Sequence, residues 1–142
     1  MAEAVLIDTW GWLAIGHRRD PRHQEIKAFY QHLRGEDARL YTTDYVLDEV
    51  TTLLFRRESF AEAVGFMEGV FQASQEGRLT IERVTSERFT AAWELRKRFQ
   101  DKPKISFTDL TSMVIMRDRN IKKVLTDDDH FAYVGMDLQK VP

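Results

Sequence analysis

The sequence contains no cysteine, which excludes disulfide bonds, a thiolate nucleophile and any cysteine-based zinc site. It also lacks an apolar run near the roughly 18 residues that a membrane span needs, and no secretory signal is visible. These absences point to a cytoplasmic protein without membrane attachment. A strong basic excess is missing too. The 21 Lys and Arg face 23 Asp and Glu, for a net charge of −2, which excludes a simple basic nucleic-acid coat. No repeat, low-complexity tract or linker divides the 142 residues. That length fits a single domain over residues 1–142, large enough to bury roughly 70% of the surface its unfolded chain would expose.

What the chain does have is acid where acid is costly. Near the C-terminus, Val124-Leu125-Thr126 runs into Asp127-Asp128-Asp129, closed by His130-Phe131. Three adjacent carboxylates repel one another, and a divalent cation with hard oxygen ligands is the usual compensation. Three further acids fall at element ends or on apolar stripes. Asp8 follows the apolar strand Ala4 to Ile7. Glu49 lies on a helix running from Thr43 or Asp44 to about Arg57, and Asp109 opens a helix from about Phe107 to Arg119.

Strands at Leu40–Thr42, Leu79–Val84, Val124–Thr126 and Leu138–Val141 alternate with helices at about Trp10–Ile15, Arg22–Leu33, Ser59–Gly77 and Ser86–Phe99. Such alternation predicts a three-layer α/β/α sandwich around a mostly parallel sheet, whose ligand sites lie beyond the carboxyl ends of the strands.

Each acid also has a structural reading. Asp8 can cap the following helix, and a cap can still be a ligand. Glu49 shares its helix face with Tyr45, Val46 and Leu53, the apolar stripe, whereas Asp48 shares one with Asp44, Thr51 and Thr52, the wet side. An acid on the apolar stripe needs an arginine partner or a metal. Asp109 can serve as a first-turn acid, yet it lines up with Met113 and Met116. One of the three C-terminal aspartates can cap the turn that Phe131 anchors in the core.

In order and spacing, Val5-Leu6-Ile7-Asp8-Thr9, Asp48-Glu49-Val50, Ser106-Phe107-Thr108-Asp109 and Leu125-Thr126-Asp127-Asp128-Asp129-His130-Phe131 resemble a PIN-domain ribonuclease, most closely the VapC-type toxins of toxin–antitoxin pairs. The resemblance implies a PIN-like fold and a Mg²⁺ or Mn²⁺ site formed by Asp8, Glu49, Asp109 and Asp128, with Asp127 as second or alternate ligand. Asp129 is expected to face solvent or to cap the turn. Thr126 matches a polar position near the metal. The same resemblance implies cleavage of RNA, a homodimer and capture by a cognate antitoxin. Where many members carry a small hydroxyl residue two positions after the first acid, this chain has Trp10, which puts substrate preference in question.

The chemistry agrees. Metal-activated water needs no side-chain nucleophile, and the expected products carry a 5′-phosphate and a 3′-hydroxyl. Lys104 and Arg18 are candidates to guide the RNA backbone, and Trp10, Trp12 and Phe107 are candidates to stack on bases or to pack in the core. The alternatives are a PIN-type RNA-processing nuclease that is not a toxin, a Mg²⁺-dependent phosphatase or receiver-like domain, a binding module without catalysis, and zinc hydrolysis through His17, His23, His32 and His130. The phosphatase pattern needs a second aspartate at the position of Trp10. No histidine pair has the i, i+4 spacing of a helical zinc motif.

Overall fold

The computed structural model describes residues 3–142. Five strands, β1 (Ala4–Ile7), β2 (Arg39–Thr43), β3 (Thr80–Glu82), β4 (Lys123–Leu125) and β5 (Gln139–Val141), form one parallel sheet in the order β3-β2-β1-β4-β5. The helices are α1 (Thr9–Gly16), α2 (His23–Gly35), α3 (Asp44–Arg57), α4 (Phe60–Gln75), α5 (Ser86–Arg98) and α6 (Phe107–Arg119). A short 3₁₀ turn covers Asp129–Ala132.

The two faces of the sheet follow from the two-residue period of a strand. On β1, Val5 and Ile7 point into a core shared with α1 to α4, while Leu6 points into the core of α5 and α6. On β4, Leu125 and Val124 divide the same way. Strands buried on both faces read as continuous apolar runs, as Val5-Leu6-Ile7 does. The result is the expected three-layer sandwich with a wholly parallel sheet.

Helix starts are set by side-chain caps that accept orphan backbone amides. Thr43 accepts from Val46, Ser59 from Glu62, Thr85 from Arg88 and Ser106 from Asp109. Asn120 ends α6 in the left-handed region, at φ 55°. One element is shorter than its pattern predicts. The Leu79–Val84 alternation extends past β3, but the Val84 amide donates to Asp44 Oδ1 at 3.0 Å and Glu82 is held by Arg88 and Arg119. Those bonds pull the chain off the ladder.

Because β2 and β4 flank β1 on opposite sides, the chain reverses direction across the sheet at β1. The crevice beyond the strand ends at such a reversal is where open α/β sheets hold ligands. Residue Gly11 lets α1 sit close over it, since a Cβ there would lie 2.7 Å from the Leu125 carbonyl oxygen. Gly65, in the middle of α4, has open space around it. Gly11→Ala should therefore destabilise the fold by about 1–3 kcal/mol, whereas Gly65→Ala should stabilise it by about 0.5–1 kcal/mol. Denaturant unfolding of both variants checks this, and equal effects would contradict the close packing of α1.

Candidate metal centre

Pairing of Ile7 with Leu125 brings the ends of β1 and β4 side by side. The next residue on each strand, Asp8 and Thr126, is buried. Thr126 Oγ1 donates to Asp8 Oδ2 and accepts from the Asp128 amide at 3.0 Å. One hydroxyl thus ties the first acid to the turn that carries the last. The other oxygen of Asp8 accepts from the Gly11 amide at 2.9 Å. Asp8 is therefore both the cap of α1 and a wall of the site.

Asp128 Oδ1 accepts from the His130 amide at 2.8 Å and so caps the 3₁₀ turn. Phe131 is fully buried and anchors that turn, as expected. The cap was expected among the three aspartates, and it is Asp128 itself; Asp129 pairs with Lys140 at 2.6 Å, and Asp127 pairs with Arg22 at 3.0 Å. Asp109 stands on the first turn of α6, half-buried, with Ser106 serving as the cap. Glu49 is half-buried while Asp48 is exposed, as the face argument requires. Among the described residues Glu49 meets no arginine; Thr9 Oγ1 donates to its Oε1 at 2.7 Å.

A cleft of about 420 Å³ opens on this cluster, lined by Asp8, Glu49, Asp109, Asp127 and Asp128 together with Thr9, Trp10, Asp20, Arg57 and Ser106. Burial is the main force on the acids. It pushes the Asp8 carboxyl up to about 7, against the lowering effect of the Thr126 and Gly11 bonds, with repulsion from Asp128 and Glu49 adding to the rise. Burial likewise raises Asp109 to about 8, helped by a proton shared with Asp128 and by repulsion from Asp8, Asp128 and Glu49. Each shift measures how poorly the site tolerates its own charge.

Divalent metal fits this chemistry. Donor atoms of Asp109, Asp128 and His130 lie within 4.8 Å of one another, and the His130 Nδ1 atom stands 2.9 Å from Asp128 Oδ1. The other histidines stand outside this group: His17 contacts Glu58 at 2.7 Å, and His23 contacts the Ala14 carbonyl at 2.8 Å.

Several candidates lie elsewhere. Arg18 faces Glu58 and Glu62 and is not among the residues lining the cleft. Lys104 is exposed, two residues before Ser106. Trp12 is a core residue, with Nε1 donating to Thr42 Oγ1 at 2.9 Å, so it is not a stacking surface. Phe107 packs on Phe89, with ring centroids 5.0 Å apart. Trp10 does reach the cleft and carries the Arg22 guanidinium 5.2 Å from its ring centre. Sequence reading missed Thr9 and Arg57 as site residues, and named His130 only under the zinc alternative. For Arg57 a signal existed, since it follows Glu49 and Leu53 at helical spacing.

Comparison with known proteins bears on the family and the fold. A family model for the PIN domain matches residues 5–136. The 23S rRNA-specific endonuclease VapC20 of Mycobacterium tuberculosis is 31% identical over 131 residues, 92% of this chain and 94% of that protein. A VapC ribonuclease of Archaeoglobus fulgidus is 29% identical over 140 residues, 96% of this chain and 86% of that protein. The crystal structure of VapC20, described as a sarcin-ricin-loop-cleaving toxin, superposes with a TM-score of 0.78 at 29% identity, covering 92% of this chain and 95% of that one. The FitAcB structure from Neisseria gonorrhoeae, at 15% identity and a TM-score of 0.57, shares the fold.

The raised acids make stability depend on pH in a definite direction. Without divalent ions, folded Asp8 and Asp109 retain protons that the unfolded chain releases near pH 4. The stability this contributes is complete below that pH and is lost as pH rises through about 7 to 8. Thermal melts in chelator should show Tm falling between pH 5 and pH 8, and Asp109→Asn should flatten the fall and raise Tm at pH 8. A wild-type Tm that rises across this window would contradict the assignment.

Proposed function

The chain belongs to the PIN-domain family, and from that premise we propose a Mg²⁺- or Mn²⁺-dependent endoribonuclease, the toxin of a toxin–antitoxin pair, with Asp8, Glu49, Asp109 and Asp128 as its metal-holding acids. It is a VapC-type ribonuclease by sequence and by fold. The observation that carries the metal reading is the crowding of acids at the sheet reversal, where burial holds Asp8 and Asp109 far above ordinary carboxylates.

When bound, a divalent cation supplies an activated water and charge neutralisation at the phosphate. The chain's own residues do the rest. Asp8, Asp109 and Asp128 would hold the cation, with Asp8 and Asp109 releasing the protons that burial keeps on them in its absence. Glu49 would complete the set, fixed by Thr9. Thr126 would keep Asp8 and the Asp128 turn in register, and His130 stands ready to steady Asp128 or to join the ligands. Trp10, at the cleft wall, would face the nucleotide, and the Arg22–Asp127 pair would leave Asp127 as the reserve ligand.

Likeness to a 23S rRNA-specific enzyme supports a structured RNA as substrate. Likeness to a toxin supports an antitoxin as partner; a homodimer, and an antitoxin cation that enters the acidic cleft, extend that reading. Exposed Phe60 and Phe71 on α4, and Phe89 and Trp93 on α5, are apolar surface for such contacts.

Incubation with ribosomal RNA should give cleavage that needs Mg²⁺ or Mn²⁺, stops in chelator and leaves 5′-phosphate ends. Asp109→Asn should abolish cleavage while the fold stays intact. Cleavage that persists in chelator would overturn the metal mechanism. Among single Asn substitutions in the C-terminal turn, loss of rate and of Mn²⁺ affinity should rank Asp128 above Asp127 above Asp129. Glu49→Gln should likewise lose far more activity than Asp48→Asn. An order led by Asp129 would mean that the turn presents a different acid.

A further inference from the structure

We propose that Arg57 is the RNA-contacting cation of the cleft, binding a backbone phosphate beside the one that is cleaved; this rests on the ribonuclease reading above. A polyanion entering a cleft lined by six carboxylates meets repulsion on every wall. Among the described residues Arg57 is the one cation that lines it.

Neighbouring cations are committed elsewhere. Arg22 holds Glu25 at 2.7 Å and Asp127 at 3.0 Å. Glu58, the acid next to Arg57 in sequence, is taken by His17 at 2.7 Å and faced by Arg18 at 3.8 Å. Among the described residues Arg57 has no ion-pair partner, although acids surround it. Its backbone is pinned, because Arg19 Nη2 donates to the Arg57 carbonyl oxygen at 3.1 Å. The guanidinium is thus free on an anchored base.

Helix geometry sets which phosphate it meets. Glu49, Leu53 and Arg57 lie on one face of α3 at i, i+4 and i+8. Eight residues at 1.5 Å each place Arg57 about 12 Å along the axis from Glu49. That separation suits a phosphate neighbouring the metal-held one. A guanidinium grips phosphate with two parallel hydrogen bonds, which an ammonium cannot reproduce. Arg56 shares the last turn of α3 and serves the helix dipole without Arg57.

The test measures binding of a labelled RNA hairpin across a salt series, with Asp109→Asn as the non-cleaving background and Mg²⁺ present. Arg57→Met should weaken binding roughly tenfold or more at 0.1 M salt. It should also reduce the slope of log K against log salt by about 0.7 to 0.9, the signature of one lost phosphate contact. Arg57→Lys should keep the slope and lose part of the affinity. Arg57→Gln, run in parallel, supplies the slope if the Met variant folds poorly. An unchanged slope overturns the proposal. So does a variant whose only changes are tighter Mn²⁺ binding and a lower metal-free Tm, because Arg57 would then be a counter-ion to the acids. Failure of the ribonuclease reading is distinguishable: the wild-type protein would then show no metal-dependent cleavage at all.

Discussion

The side-by-side ending of β1 and β4 is the constraint from which the site follows. Parallel pairing puts Asp8 next to Thr126, and a single hydroxyl then serves two masters, donating to the Asp8 carboxylate and accepting the Asp128 amide. A threonine can do this because its hydroxyl both donates and accepts. A valine of equal shape would leave one oxygen of the buried Asp8 carboxylate, Oδ2, and the part-buried Asp128 amide without partners. Gly11 completes the arrangement by letting α1 start tightly above the same strand ends, with Asp8 as its cap.

Given that frame, the acids are held in a state the fold alone does not favour. Desolvation and mutual repulsion both oppose their ionisation, and the chain supplies only hydrogen bonds, not counter-charge, to Asp8, Glu49 and Asp109. Arginines do surround the site, but Arg22 and Arg18 are bound to acids outside its centre. Cations of the protein are kept off the metal acids, which leaves room for a cation from solution. Structural ion pairing is used freely elsewhere, as at Glu82 between Arg88 and Arg119, so its absence at Asp8, Glu49 and Asp109 among the described residues is a property of the site.

Much of this was legible in the sequence because the relevant signals are local. Element order and capping residues follow from periodicity and from Ser, Thr and Asp at helix starts. The choice of Glu49 over Asp48 followed from which helix face was apolar. Less legible were features set by tertiary partners. The truncation of β3 depends on Asp44 reaching the Val84 amide, forty residues away. Trp12 and Trp10 look alike in sequence, yet one fills the core and the other borders the cleft, a difference set by which side of α1 faces the sheet. Arg18 and Arg57 each have a basic neighbour in sequence, Arg19 and Arg56; the positions of Glu58 and Glu62 decide which of them is left free.

The bond between Thr126 and Asp8 spans 118 residues, and the pair Arg22–Asp127 spans 105. Contacts so distant in sequence close late, because the intervening chain must be made and folded first. During synthesis β1 emerges well over a hundred residues before its partner β4. Until then the first acid has no Thr126 to orient it and no Asp128 opposite it. A partly synthesised chain therefore carries three of the four acids and none of their geometry. Assembly of the cluster waits for β4 to be made, so a product that stops short of it lacks the geometry altogether, and the strand order sets when the cluster can form.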